Sequence, residues 1–260
     1  MAGIDRQHPF RQSWALRLGW LALAAYVVYG FGAMDLNWAR FVDGLGHGGR
    51  LLERMFPPNF SRWEILLHDL VESLQIAIIA SVAGIFISLF VGLLAARNLM
   101  PALVTSPARV LIAVCRTFHP VIIAILFVKA VGFGALAGIL TLVVASVGFI
   151  AKLFAEAIEE ISLKQVEAIR ATGAGFVSVI LFAVLPQVFS RFIGFSTYQL
   201  DSNLRNSTMV GLVGAGGLGG TLFAAFQRFD YDFVTAILIT IIALILVGEA
   251  LSNTARRIFQ

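Results

Sequence analysis

Charged and amide side chains recur inside stretches of this chain that are otherwise apolar. The densest group lies in residues 187–211, where Thr197, Asp201, Arg205 and Thr208 are spaced by four, four and three residues. That spacing places all four on one face of a helix. Either Asp201 and Arg205 pair and fix helix packing, or the polar residues line a route for a solute. The candidates for lining such a route are Asn203, Arg205 and Asn206, with Ser207 and Thr208 as secondary candidates.

A second polar group stands at Arg116 and His119, directly before Pro120. Proline has no N–H to donate to the carbonyl of residue 116, so we expect a kink beside the charged side chain. Arg116 and His119 then either line a cavity or pack near an interface. His119 has no neighbouring ligand or catalytic partner in the sequence, and we expect neither a metal site nor a catalytic residue in this chain.

The charge balance of these segments favours an anion as the solute. Residues 108–129 and 187–211 together contain five basic side chains and one acidic side chain. A positive bias in central helices suits a negatively charged cargo.

A glycine-rich run, GAGGLG, follows at residues 214–219. A dinucleotide-binding loop would need a preceding strand and a βαβ unit, and neither is predicted here. We expect Gly214, Gly216 and Gly217 to turn the backbone at the outer end of the route, either as a gate or as a simple loop.

The composition requires a membrane. The chain is 59% hydrophobic and 13% charged, with a mean hydropathy of +0.89, which excludes an ordinary soluble domain. Long apolar runs without alternation predict helices rather than a barrel. The predicted spans are 14–33, 74–96, 110–128, 133–151, the polar segment 187–211, and 233–251.

Basic residues place both termini on the inner side. With the polar segment 187–211 counted as a crossing, the arginines near both ends and the loops 97–109 and 152–170 all fall inside, as the positive-inside rule favours. The loop 34–71 would lie outside despite its arginines. In that loop we expect a short interfacial helix beginning near Trp63.

The segment KQVEAIRATGAGFVSVILFAVLPQV, residues 164–188, predicts a helix, a corner and a second helix. The first helix covers about 165–171, Gly173 and Gly175 form the corner, and an apolar helix continues to Pro186, where the next crossing begins. Such an element projecting from a membrane is suited to docking a cytoplasmic partner.

The order Glu167-Ala168-Ile169, Gly173, Ala183 and Leu185-Pro186 resembles the coupling-loop signature of bacterial ABC importer permeases. Ile169 stands for the usual alanine and Ala183 for an isoleucine, and both stay apolar. The segments FPPNFSRW, ARNLMP, LFVKAVGFGALAGIL and DSNLRNSTMVGLVGAGGLG resemble the phosphonate branch of that family. The resemblance runs from about residue 56 to the C-terminus.

The resemblance implies an all-α integral membrane protein with six transmembrane helices and the type I ABC importer permease fold. A cytoplasmic coupling-helix loop, residues 152–186, would lie between helices 4 and 5. We expect an N-terminal part, 1–73, and a permease core, 74–260. Coupling to the ATPase would involve Glu167, Ala168 and Gly173, together with Lys164 and Arg170.

The same resemblance implies a homodimer of permeases, two cytoplasmic ATP-binding subunits and a periplasmic or lipid-anchored phosphonate-binding protein in a bacterial inner membrane. No nucleic acid is expected. The chain contains no GxxxxGK[ST] loop, so ATP and Mg would be bound by the partner ATPase, and the chain itself would carry no cofactor and be no enzyme. The alternatives are a permease for phosphite, hypophosphite or another small solute, including methionine, and an ion-driven secondary transporter. The secondary transporter is disfavoured because no internal repeat is evident.

Overall fold

The computed structural model describes residues 14–34 and 38–259, and every regular element in these ranges is helical. Residues 1–13, which carry the first arginines of the topology argument, lie outside the described residues. The helices, in chain order, are α1 Trp14–Ala33, α2 Trp38–Met55, α3 Trp63–Ala95, α4 Ala102–Thr117, α5 Pro120–Val131, α6 Ala135–Glu159, α7 Leu163–Ala171, α8 Phe176–Val179, α9 Leu185–Gly211, α10 Gly217–Gln227 and α11 Tyr231–Phe259.

Five helical segments of the described residues are long and apolar enough to cross a membrane, or six when α4 and α5 count as one span bent by 92°. The five are Trp14–Ala33, Trp63–Ala95, Ala135–Glu159, Phe176–Gly211 and Tyr231–Thr254. The predicted kink at Pro120 is confirmed, and each of the six predicted spans overlaps one of these segments when α4 and α5 count as one span. α2 was not predicted.

The chain divides into two compact units, Met1–Glu53 and Arg54–Gln260. The first contains α1, an apolar helix of 20 residues, and most of α2. The boundary between the units differs from the expected one at residues 73–74, because α3 begins at Trp63 and continues unbroken past that point.

Two local expectations are corrected by the helices themselves. The separate interfacial helix near Trp63 is absent from the described residues, because no glycine or proline interrupts the first turns of α3. Pro186 does not end a helix either. α8 continues through a π-helical turn at Ile180–Val184 into α9, and Leu185 N donates to Ile180 O in the wider i→i−5 pattern. A π-bulge lets the helix carry a proline without breaking.

Small residues let α3 and α6 pack backbone against backbone. A Cβ added at Gly84 would lie 2.5 Å from Ser146 Cβ, and one added at Gly92 would lie 2.8 Å from Phe154 Cβ. Because lipid provides little hydrophobic drive between helices, such close contact is a main source of their association. α3 thereby forms the central rod of the second unit. Its N-terminal end packs near α10 and its C-terminal end near α7, and we refer to these as the α10 end and the α7 end of the bundle.

Candidate functional site: a docking helix and a polar membrane face

The sequence of α7 divides the helix into an inner and an outer side. Val166 is buried and Ile169 packs partly against the same apolar cluster, which also contains Val179 and Val184 from the following helix. The remaining side chains of α7 point outward. The exposed ones include all the predicted coupling residues on this helix, Lys164, Glu167, Ala168 and Arg170.

The predicted corner after α7 is confirmed at Gly173. Its φ is +78°, a conformation that glycine adopts without steric cost, and its N–H donates to Arg170 O at 3.0 Å. A Cβ at this position would meet no atom within 4 Å. Gly175 has an ordinary φ of −68° and serves as the N-cap of α8.

Gln187 holds the beginning of α7 against the following helix. Its side-chain Oε1 accepts from Ser162 N at 2.9 Å, and its Nε2 donates to Ala183 O at 2.7 Å. Ser162 is the N-cap of α7 and makes no side-chain cap of its own, and the Gln187 amide accepts from the backbone N–H of Ser162, one of the N–H groups that have no partner within the helix. Sequence reasoning missed this residue, and the only local signal is its place directly after Pro186.

Glu159, at the end of α6, binds the connection between α3 and α4. Its Oε1 accepts from Arg97 N at 2.7 Å and from Arg109 Nη2 at 2.6 Å. Arg109 also donates through Nε to Ala95 O at 3.0 Å. Arg109 is therefore held by a specific ion pair.

Glu160, the next residue, forms an ion pair with Arg191 of α9. The two carboxylates at the end of α6 thus connect that end to the α3–α4 turn on one side and to α9 on the other, three and four residues before α7 begins.

The predicted pairing of Asp201 with Arg205 on α9 is confirmed. Arg205 Nη2 donates to Asp201 Oδ2. The carboxylate side chain is only 6% exposed, whereas the arginine side chain is 52% exposed. Asn206 is partly exposed next to Arg205 and donates to Ser202 Oγ at 3.3 Å. Arg205, Ser202 and Asn206 define what we call the α9 polar face.

Asn203 and Ser207 lie on the opposite side of α9, inside the bundle. Asn203 is 0% exposed, and its Nδ2 donates to Ser81 Oγ at 2.9 Å and to Ser146 Oγ at 3.1 Å. Gln199 adds bonds to Ser146 Oγ and Asn203 Oδ1. Ser207 is equally buried and donates to Leu204 O. Both residues are therefore hydrogen-bonded inside the bundle and lie away from the α9 polar face.

Thr208 is 9% exposed, and its Oγ1 has no hydrogen-bond partner among the described residues. It too is turned into the bundle, although it was predicted on the same face as Arg205. At the end of a long helix, residues three apart differ by about 60° around the axis, which is enough to separate an exposed arginine from a buried threonine.

Arg116 and His119 do not join the α9 polar face. Arg116 lines a separate cavity of about 180 Å³ together with Arg109, Lys152 and Glu156. His119 is the N-cap of α5, and its Nδ1 accepts from Val121 N at 3.4 Å. A capping role accounts for this histidine at the bend.

The glycine-rich run forms a tight connection at the α10 end. Gly214, Gly216 and Gly217 have φ values of 95°, 86° and 69°, all in the region that disfavours a side chain. Gly217 N donates to Glu72 Oε2 at 2.9 Å, and a Cβ on Gly216 would come within 2.7 Å of Glu72 Oε1. The run is thereby fastened to α3.

Ser73 and Asp69 extend the same fastening. Ser73 Oγ accepts from Leu218 N at 2.9 Å, and Thr221 Oγ1 donates to Asp69. Together with Glu72 they place acceptors and negative charge at the start of α10, as a helix N-terminus prefers. His68, Asp69 and Glu72 also approach one another closely, and the bonds just described already engage both acidic residues.

Comparison with known proteins identifies the family to which this chain is similar. Residues 84–260 match the family described as binding-protein-dependent transport system inner membrane component. The chain is 38% identical over 264 residues to the phosphite transport system permease protein PtxC of Stutzerimonas stutzeri, covering 98% of this chain and 95% of that protein. It is 39% identical over 208 residues to the phosphate-import permease protein PhnE of Mycolicibacterium smegmatis, covering 79% of this chain and 39% of that longer protein.

Solved structures confirm the fold. A chain from inward-facing conformations of the MetNI methionine ABC transporter superposes with a TM-score of 0.68, at 23% identity, and covers 78% of this chain and 99% of its own. The type I ABC importer permease fold predicted from the coupling-loop residues is therefore confirmed. Importers of this family combine such a subunit with an ATPase and a substrate-binding protein. The chain belongs to the family of binding-protein-dependent transport system inner membrane components and is the transport subunit of an ABC importer rather than an enzyme.

Proposed function

We propose that two copies of this chain form the path of an ABC importer for a phosphorus oxyanion, with phosphonate and phosphite as the favoured cargoes. The observation that carries the proposal is the exposed guanidinium of Arg205 in the last third of α9, within a helical segment apolar enough to span a membrane. A charge on a transmembrane helix is costly when it faces lipid. The α9 polar face therefore belongs against a second copy or an aqueous path.

The chemistry of Arg205 fits this cargo. A guanidinium presents five N–H donors in a planar fork and binds phosphorus oxyanions through two parallel hydrogen bonds. One terminal nitrogen is engaged by Asp201, which leaves donors on the exposed side. The relatives named for phosphite and phosphate transport support the same class of cargo.

The outer side of α7 would dock the ATP-binding subunit. Lys164, Glu167, Ala168 and Arg170 would meet a groove on that subunit, and Gly173 would set the angle between α7 and α8. ATP and Mg would be bound there and not by this chain. The α10 end, with Gly214, Gly216 and Gly217, would face a periplasmic or lipid-anchored binding protein and act as the outer gate, and both termini would be cytoplasmic.

Arg116 would act near the α7 end. Its cavity brings together Arg109, Arg116 and Lys152 with one acid, Glu156, to which Lys152 is paired at 3.3 Å. Because Arg109 is paired with Glu159, the charge of Arg116 is the one in this cavity not balanced by an ion pair among the described residues, and it would attract an anion leaving the path. His119 would hold the α4–α5 bend and not contact the cargo.

The test is ATP-dependent uptake by proteoliposomes that contain the permease, its ATPase and its binding protein. Phosphite, methylphosphonate, phosphate and methionine are compared as cargo. We expect the phosphorus oxyanions to be taken up and methionine to be excluded, and preferred uptake of methionine would overturn the proposal.

The role of Arg205 is tested by the double variant Arg205→Gln/Asp201→Asn, which removes both charges and leaves no unpaired buried acid. Loss of charge-assisted bonds of about 1.5–3 kcal/mol predicts uptake at least about tenfold lower with normal assembly. Lys129→Gln, which removes an exposed cation of α5, is the matched control and should retain uptake. Equal uptake by the double variant and the control would contradict a role for the α9 polar face.

A further inference from the structure

We propose that Asp201 is an internal counter-anion that competes with the cargo for Arg205 and keeps the path from trapping what it carries. This inference rests on the function proposed above. It assigns to Asp201 a positioning role, because the carboxylate acts on the cargo only through Arg205.

The first observation is the asymmetry of the pair. Asp201 is 4% exposed and Arg205 has a side chain that is 52% exposed. The carboxylate therefore binds the guanidinium from inside the bundle, and the guanidinium keeps its other edge free toward the surface of the α9 polar face. A cargo oxyanion can contact this outer edge while Asp201 still holds the inner edge, so the two anions then attract one guanidinium from opposite sides.

The second observation is the incomplete satisfaction of the carboxylate. Asp201 Oδ2 accepts from Arg205, while Asp201 Oδ1 is buried and has no hydrogen-bond partner among the described residues. A buried carboxylate is costly unless it is paired. The described structure offers Asp201 Oδ2 one partner, the same guanidinium that the cargo would use.

The consequence is an exchange and not a simple addition. When a cargo anion draws the guanidinium outward, whatever it gains is partly offset by the pairing that Asp201 loses. Asp201 stands four residues before Arg205, which is the favourable order for an acid and a base on a helix, so the pairing that the cargo must weaken is a stabilising one. The net affinity of Arg205 for an anion is thus lowered by a fixed internal competitor.

A transport path requires a low affinity for the cargo that crosses it. A transported ion must bind well enough to enter and weakly enough to leave. A guanidinium without a competing carboxylate would hold a phosphorus oxyanion longer, and release to the inner side would become the slow step. Asp201 would in this way set the lifetime of the cargo in the path, independently of the external binding protein.

The experiment measures inhibition by cargo on the inner side, because that quantity reports the affinity of the path and not of the binding protein. Proteoliposomes are loaded with ATP and increasing phosphite, and uptake of external phosphite through the binding protein is followed. For Asp201→Asn we expect the internal phosphite concentration that halves uptake to fall about tenfold, with a lower maximal rate. Asp201→Glu, which keeps a carboxylate four residues before Arg205, should behave like the original chain.

Two comparisons separate this role from a merely structural one. On an Arg205→Gln background, Asp201→Asn should leave the half-inhibiting concentration unchanged, because the competition needs both members of the pair. If Asp201→Asn does not assemble, Asp201→Ser provides a smaller neutral replacement and should show the same shift.

The proposal is overturned if Asp201→Asn lowers the maximal rate and leaves the half-inhibiting concentration unchanged, or if the shift persists without Arg205. Failure of the proposed function has a different signature. In that case the original chain takes up neither phosphite nor methylphosphonate, and no inhibition curve is obtained.

Discussion

Replacing Gln187 with leucine should uncouple ATP hydrolysis from transport while leaving the permease assembled. The side chains are similar in size, but leucine cannot accept from Ser162 N or donate to Ala183 O, bonds of 2.9 and 2.7 Å in the structure. A third contact, from Gln187 Nε2 to Ser162 O, is 3.5 Å long and contributes little.

The magnitude follows from the bond to Ser162 N, because Ala183 lies four residues earlier on the same continuous helix and its bond does not join α7 to α9. Each intramolecular hydrogen bond contributes a net free energy of about 1 kcal/mol, and water replaces part of it at the exposed Ser162. The loss is then at most about 1 kcal/mol. Since 1.4 kcal/mol corresponds to a factor of 10, the ratio of α7 seated against α9 to α7 detached falls by up to about 5-fold.

The assay is the amount of cargo taken up per ATP hydrolysed by the reconstituted complex. We expect this ratio to fall for Gln187→Leu, with a smaller loss for Gln187→Glu, which still accepts from Ser162 N. Gln75→Leu, at an exposed glutamine of α3, is the control and should retain the ratio. The reasoning is refuted if Gln187→Leu transports as much cargo per ATP as Gln75→Leu, or if its uptake falls only in step with the amount of assembled complex.

Two further predictions concern glycines. Gly173→Asp should abolish uptake with normal membrane insertion, because the new side chain would project toward the docked ATPase. The space around this position is open, so the folding cost is limited to that of the positive φ of +78°, about 1 kcal/mol. Gly175→Asp, at an ordinary helix N-cap, is the control and should be tolerated. Normal ATP-driven uptake by Gly173→Asp would contradict the docking role. Gly84→Ala should lower the free energy of unfolding by about 2 kcal/mol, because its Cβ would lie 2.5 Å from Ser146 Cβ. Gly220→Ala, whose Cβ would have its nearest atom at 3.7 Å, is the control and should leave the unfolding midpoint in detergent unchanged within experimental error. Equal midpoints for both variants would show that α3 and α6 can move apart.

Local spacing predicted the features that are local. The pairing of Asp201 with Arg205, the bend before Pro120 and the corner at Gly173 each depend on residues within one or two helical turns. The contacts of Glu159 with Arg97 and Arg109 and of Glu72 with Gly217 join residues 50 to 145 positions apart. No periodicity in the sequence indicates such partners.

The face of α9 that turns inward was also beyond sequence reasoning. Both sides of this helix carry polar residues, so hydrophobic periodicity does not distinguish an inner from an outer side. Asn203 was therefore assigned with Arg205, although the structure buries it against Ser81 and Ser146. Pro186 was misread for a different reason, because a π turn compensates for a proline in a way that the residue types do not reveal.

The amide and hydroxyl cluster around Asn203 has a mechanical consequence. Its bonds connect α9 to both α3 and α6 in a region without water to replace a broken hydrogen bond. Sliding one of these helices past the others would break several bonds at once, so we expect the three helices to move as one rigid body. The bending needed for alternating access would then occur at hinges outside these three helices, such as the 92° break between α4 and α5. Arg205 would keep its position within the rigid body throughout each transport cycle.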